Sequence, residues 1–233
     1  MCYILGEKNP QCQYTMVNPI SGERTVINTC NFEKDLGVTF DSNLIFDQHI
    51  QNSINKANKM IGIIKRTFMH MDKDIFSMLY KAFVRPHLEY GNIIWYPRLK
   101  RQSAALERVQ RRATKLVKGI QNLSYEDRLR FLEIPTLKTR RLRGDLIQVY
   151  KIFNNIDDIP VNKFFTISHM NNTRNSTDKI YHRRCRTNLR KFCFSNRITG
   201  YWNKLTPNIK RAHNTNMFKS SIDKISFMKD QLW

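Results

Sequence analysis

The sequence predicts a mainly α-helical protein: a helical bundle with a small N-terminal β segment and a basic C-terminal helical tail. Three observations carry this prediction. Apolar residues recur every three or four positions over residues 48–70, 103–119 and 137–153, which is the pattern of helices with one buried face. Short β-compatible runs separated by Asn-Pro and Ser-Gly are confined to residues 1–47. Beyond Asp178 no acid occurs until Asp223, while cations and aromatics alternate throughout that interval.

Composition sets the frame. A chain of 233 residues with 41% hydrophobic and 11% aromatic content can build a real core. Its 40 Lys+Arg against 19 Asp+Glu, a net charge of +21, exceed what solubility needs. The excess points to nucleic acid as partner, with an anionic membrane surface second. Apolar runs such as Met60–Ile64 are far too short for a membrane span. The N-terminus lacks a basic stretch followed by an apolar one, so secretion is not expected. Five scattered cysteines without a Cys-x-x-Cys pair argue against a disulfide scaffold.

In chain order, Cys2–Leu5, Gln13–Val17, Thr25–Asn28 and Leu36–Phe40 are the β-compatible runs. So small a β segment needs the helices behind it. Residues 48–70 place Ile50, Ile54, Ala57, Ile61, Ile64 and Phe68 on one helical stripe. Asp72 is the expected N-cap of the next helix. That helix leads into Leu79–Trp95, a segment too apolar for one exposed face and the expected core. Pro86 should kink or restart the helix there and disfavour helical backbone at Arg85.

The helix expected over Ser103–Gly119 buries Leu106, Val109, Ala113, Leu116 and Val117. Arg108, Arg111, Arg112 and Lys115 follow i, i+3, i+4, i+7 and, at about 100° per residue, centre nearly opposite that apolar arc. Like charges on successive turns repel, and a plain solvent face would intersperse acids, of which only Glu107 is present. The stripe therefore reads as phosphate-facing, with a solvated face as the competing reading. Ser124 and Asp127 approach a capping box, and Thr136 caps the helix over 137–153. Lys138, Arg140, Arg141 and Arg143 crowd the first turns of that helix, where its dipole disfavours cations. Either an external phosphate or salt bridges to Glu126, Asp127 or Glu133 would offset this. Residues 154–179 read as a polar linker around Phe164-Phe165. In the tail, Phe194, Ile198, Trp202 and Leu205 share a helix face and read as core. Arg183, Arg184, Arg186 and Arg190 are the backbone-contact candidates, and a last helix is expected over Met217–Phe227. The implied division is 1–47, a helical unit 48–155, a linker 156–185, and a basic helical segment 186–233.

The blocks LYKAFVRPHLEYGNIIW and LERVQRRATKLVKGIQNLSYEDRLRFLEIPTLKTRRLRGDLIQVYKIF resemble the region C-terminal to the polymerase active site in reverse transcriptases of non-LTR (LINE-type) retrotransposons. The likeness is to the jockey and chicken-repeat groups. It runs from KDLGVTFDSNLIFDQHI to Trp233 and implies a palm remnant, a helical thumb and the basic tail. Asp35-Leu36-Gly37-Val38 resembles the primer grip, so Leu36 and Gly37 would position a primer end. From spacing alone the same residues make an ordinary turn with Gly37 at positive φ.

Such a polymerase holds two Mg²⁺ ions on carboxylates, in an aromatic-x-Asp-Asp turn. The Asp-Asp pair here, Asp157-Asp158, lacks the aromatic, precedes Pro160 and sits in the polar linker, so it reads as a turn. The resemblance puts the catalytic turn upstream of Met1, and with it the family's Mg²⁺. No nucleophile–base arrangement or Gly-rich phosphate loop is found. His169, His182, Cys185 and Cys193 could hold zinc only at spacings matching no familiar site. The expectation is a non-catalytic, truncated reverse transcriptase fragment without its own cofactor. Its partners would be RNA and DNA as a template–primer duplex, together with the absent palm. Its location would be nuclear or cytoplasmic. A stand-alone nucleic-acid-binding protein, a protein-interaction module and a functionless transposon relic are the rival readings.

Overall fold

A computed structural model of the chain describes residues 13–27, 30–168, 179–225 and 228. The protein is mainly helical, with two small antiparallel sheets near its N-terminus. The run Cys2–Leu5, together with Cys2, Cys12 and His169, lies outside the described residues.

Two hairpins open the described chain. β1 (Thr15–Val17) pairs with β2 (Arg24–Val26), and both strands are exposed throughout. β3 (Phe32–Asp35) pairs with β4 (Val38–Asp41). The strand expected over Leu36–Phe40 therefore begins at Val38. Leu36 (φ 44°) and Gly37 (φ 85°) form the two-residue turn, the left-handed geometry that matches the twist of a tight hairpin. Tyr90 Oη donates to Leu36 O at 2.7 Å, and a Cβ on residue 37 would meet Tyr90 Cε1 at 3.1 Å. Glycine is thus favoured by the backbone conformation, and a side chain there would also press on the Tyr90 ring. The Asp41 carboxylate then accepts from the N–H groups of Ile45 (2.9 Å) and Phe46 (2.5 Å), anchoring the entry to the first helix.

That helix, α1 (Asp47–Thr67), buries Ile50, Ile54, Ala57, Ile61 and Ile64 as its spacing predicts. It stops short of Phe68, which turns extended and is partly exposed. Asp72 caps α2 (Lys73–Leu79) by accepting from Ile75 N–H at 2.8 Å. The expected break at Pro86 is displaced upstream. A π-helical turn over Tyr80–Val84 lets the Arg85 N–H reach back to Tyr80 O, and α3 (Arg85–Glu89) follows with Arg85 itself helical (φ −59°, ψ −39°). The wide turn shifts the hydrogen-bond register just ahead of the residue that has no N–H to give. Leu79, Val84, Leu88 and Trp95 are buried in this segment, but Phe83 and Ile94 are exposed, contrary to their assignment to the core.

α4 (Lys100–Thr114) starts and ends earlier than the sequence suggests. Gln102 sets its start: its side chain accepts from Leu99 N–H (3.1 Å) and donates to Ile45 O (2.8 Å) and Asp47 Oδ1 (2.7 Å). α5 (Tyr125–Leu132) and α6 (Leu137–Phe153) carry the expected caps, Ser124 accepting from Asp127 N–H and Thr136 from Thr139 N–H, both at 3.1 Å.

The interior is divided between two apolar clusters, and both use α6. Residues from Val38 to Leu137 form the first, whereas Leu142, Leu146, Val149, Tyr150 and Ile152 belong to the second with the tail. The units meet inside α6 rather than near residue 155. The stretch read as a linker contributes α7 (Val161–Phe164) and buried Phe165, and Ile167 bridges to Ile180. The tail folds as α8 (Asn188–Phe192), α9 (Phe194–Arg197), α10 (Thr199–Asn203), α11 (Pro207–Lys210) and α12 (Thr215–Ile222). Phe194, Ile198, Trp202 and Leu205 are buried as predicted. α12 covers most of the last helix expected over Met217–Phe227, and Phe227 itself lies outside the described residues. Among the described residues no helix is long and apolar enough to cross a membrane.

Candidate nucleic-acid interface

The exposed side of α4 forms one wall of an open cleft of about 600 Å³, and α1 forms the other. The apolar arc of α4 (Leu106, Val109 and Ala113) packs inward, which fixes Arg108, Arg111, Arg112 and Lys115 on the opposite side. All four are exposed and all four line the cleft, with Gln51 and Asn58 of α1 facing them. Arg112 Nη1 donates to Asn58 Oδ1 at 3.2 Å. The Arg111 guanidinium sits 4.7 Å from the Tyr125 ring centroid, a contact that orients it without neutralising it. None of the four joins an ion pair among the described residues.

Glu107 forms no ion pair with the stripe either. Its Oε1 accepts from Tyr125 Oη and Gln110 Nε2, and its Oε2 from Leu137 N–H at 3.1 Å. Burial pushes its carboxyl above the ordinary carboxylate range, against the lowering effect of the Tyr125 hydroxyl and of Arg141. The acid of α4 therefore tethers α5 and α6, in a network completed by Gln110, which bonds Tyr80 (2.5 Å), Tyr125 (3.1 Å) and Pro135 O (3.0 Å). A second basic layer lies behind the stripe. Arg128, itself buried, is held by Thr114 Oγ1 (3.0 Å) and Leu123 O (2.6 Å).

A second cleft, of about 690 Å³, shares Arg108 and Arg111 with the first. Its cationic rim continues through Arg98, Lys100 and Lys138, and Tyr96, Pro97, Leu99 and Phe192 supply an apolar wall. Sequence reasoning ended the expected core at Trp95 and did not single out Tyr96, Arg98, Lys100 or Phe192 as parts of a site.

The group at the start of α6 requires correction. Arg140 makes a two-pronged ion pair with Glu89, its Nη2 donating to Oε2 at 2.9 Å. Arg143 pairs in the same way with Asp223, at 2.7 and 2.8 Å. The salt-bridge alternative thus holds for both, with acids other than Glu126, Asp127 or Glu133. Arg141 is 2% exposed, too buried for a backbone contact, and donates to Ser103 Oγ at 3.1 Å. Lys138 alone of this group is exposed. Arg183, Arg184, Arg186 and Arg190 are exposed along the segment into α8, with Arg183 donating to Thr166 Oγ1 at 2.7 Å. They are not among the residues lining either cleft. Leu36 and Gly37 occupy the hairpin turn described above, and Leu36 is 84% exposed.

Asp157 and Asp158 lie in a bend after α6, where Asp157 Oδ2 accepts from Gln148 Nε2 at 2.6 Å. No three His, Cys, Asp or Glu side chains gather as a metal site among the described residues.

No protein-family model matches the chain, and no solved structure matches it. It is similar to an uncharacterized protein of Caenorhabditis elegans, 28% identical over 134 residues, covering 54% of this chain. The match takes in 63% of that protein's length.

Proposed function

We propose that the chain binds nucleic acid through the phosphate backbone, with the α4 stripe of Arg108, Arg111, Arg112 and Lys115 as its principal contact. The observation that carries this reading is the stripe itself: four exposed cations on one wall of a cleft, with no ion pair among the described residues. Cations at that spacing suit a row of phosphates and carry no base-reading geometry of their own, so retention rather than sequence choice is the expected output. The sequence resemblance gives the reading a context. In a LINE-type reverse transcriptase this helical part would be the thumb, holding a template–primer duplex of RNA and DNA while a separate palm carries the metal ions and the chemistry. On this reading the chain is itself non-catalytic and acts where such nucleic acid is found, in the nucleus or the cytoplasm.

The test is equilibrium binding of an RNA–DNA duplex by the whole chain across a salt series. With four phosphates neutralised, log K should fall with log salt with a slope of about −3 to −4. Arg111→Glu with Arg112→Glu should weaken binding at low salt and make that slope shallower by about 2. Unchanged affinity and slope in the double variant would refute the proposal.

A further inference from the structure

The second cleft has a chemistry that a duplex backbone does not need. Phosphates require cations, and the first cleft already presents four of them. The second adds an aromatic wall. The rings of Tyr96 and Phe192 lie nearly parallel, 13° between planes and 6.5 Å between centroids. Their placement is rigid, because the Arg197 guanidinium sits 4.4 Å from the Tyr96 ring centroid and donates to Phe192 O at 3.1 Å. Arg197 is fixed in turn by the buried Asp145 carboxylate at 2.8 and 2.9 Å. Ser103 lines the same cleft and accepts from Arg141, whose Nε and Nη1 have no hydrogen-bond partner among the described residues. That guanidinium adds an incompletely satisfied positive charge behind Ser103.

We propose that this cleft receives an unpaired nucleotide, its base against Tyr96 and Phe192 and its phosphate on Arg108, Arg111 and Lys138. The inference rests on the backbone-binding reading and extends it, since Arg108 and Arg111 line both clefts and a phosphate chain on the stripe leads directly into the second. A duplex keeps its bases stacked inside. An unpaired one is free to lie against an aromatic side chain, and every base has a face that can do so. The chemistry therefore fits the junction between a duplex and a single-stranded extension.

The experiment compares binding of the whole chain to three RNA–DNA substrates: a blunt duplex, the same duplex with a short single-stranded extension, and that extension with its bases removed. The extension is placed at each strand end in turn. For at least one placement the base-bearing extension should bind about five-fold or more tightly than the abasic one. Phe192→Ala should abolish that gain and leave blunt-duplex affinity unchanged, and Phe192→Tyr should restore it. Lys138→Glu, at an exposed position, should reduce the gain without touching the packing around α8. Equal binding of base-bearing and abasic extensions at every end overturns the proposal, as does a gain that survives Phe192→Ala. If the blunt duplex binds with steep salt dependence but no base-dependent gain appears, this inference falls alone. If no substrate binds, the backbone reading falls with it.

Discussion

Removing the Asp145 carboxylate should be among the most damaging single changes in this chain. Asp145 lies on α6 and Arg197 at the end of α9, and their side chains are 3% and 8% exposed. Arg197 donates Nε to Oδ2 at 2.8 Å and Nη2 to Oδ1 at 2.9 Å, and also bonds Phe192 O (3.1 Å) and Ile93 O (3.2 Å). Breaking one side of a buried pair costs ~3–5 kcal/mol, because the other charge stays desolvated. Two carbonyls remain for Arg197, so Asp145→Ala should cost about 3 kcal/mol, the low end of that range. For a chain of this size such a loss lowers Tm by about 6–12 °C. Asp145→Leu with Arg197→Met removes both charges, and a buried pair replaced by apolar residues of similar volume is often close to neutral. A double-mutant cycle by urea unfolding should therefore show a coupling of roughly 2–3 kcal/mol. A cost below about 1 kcal/mol for Asp145→Ala, or strict additivity in the cycle, would show that the pair is not what joins the tail to α6.

Two further outcomes follow from the N-terminal half. His49 is buried, its Nδ1 accepts from Thr39 N–H at 3.2 Å, and burial, with Lys56 adding to it, holds its pKa below the ordinary 6.5. The stability of this neutral ring is complete above pH 6.5 and is lost as pH falls through the depressed value. Thermal melts should then show His49→Gln losing less Tm than the parent between about pH 7 and about pH 5, and parallel curves would contradict this; Glu107, raised by burial, contributes with the opposite sign in both proteins. Gly37→Ala should cost ~1–2 kcal/mol for its left-handed backbone, plus the 3.1 Å approach to Tyr90. Gly119→Ala, at φ 84° with nothing within 4 Å, carries the conformational cost alone, so equal urea midpoints for the two variants would rule out the contact.

The helices were legible wherever one periodicity ran unopposed. The four-and-three spacing of Ile50 through Ile64 defines α1, since each of those side chains has a buried place to go. What the pattern could not show is where side-chain bonds override it. Gln102 starts α4 before its apolar arc begins, and the turn at Tyr80–Val84 absorbs Pro86 without breaking the helix. The same limit applies to charge. Phosphate contact and salt bridging both stayed open for Arg140 and Arg143, because their acids lie 51 and 80 positions away and no local pattern encodes such a pairing. The α4 stripe was legible because one helix holds all of it. The second cleft was not, since it is assembled from the stretch after Trp95, the start of α6 and the end of α8.

The fates of the arginines separate what folding requires from what it leaves over. Arg128, Arg141 and Arg197 are interior and held by hydroxyls, carbonyls or Asp145. Arg140 and Arg143 join elements through Glu89 and Asp223. Each of these has a structural reason to be cationic. Arg108, Arg111, Arg112 and Lys115 pair with no acid among the described residues; Arg112 bonds Asn58 and Arg111 lies over the Tyr125 ring, but burial of Leu106, Val109 and Ala113 would fix α4 equally well with acids interspersed. Their four i,i+3 and i,i+4 like-charge pairs cost on the order of 1 kcal/mol at low salt, and Glu107, bonded to Tyr125 and Leu137, makes no ion pair with any of the four. A folding requirement does not account for that arrangement, whereas a polyanion in the cleft offsets the repulsion at every pair. On the proposed reading the stripe is where a partner's charge would enter the energetics of this protein, and its salt dependence is the property to measure first.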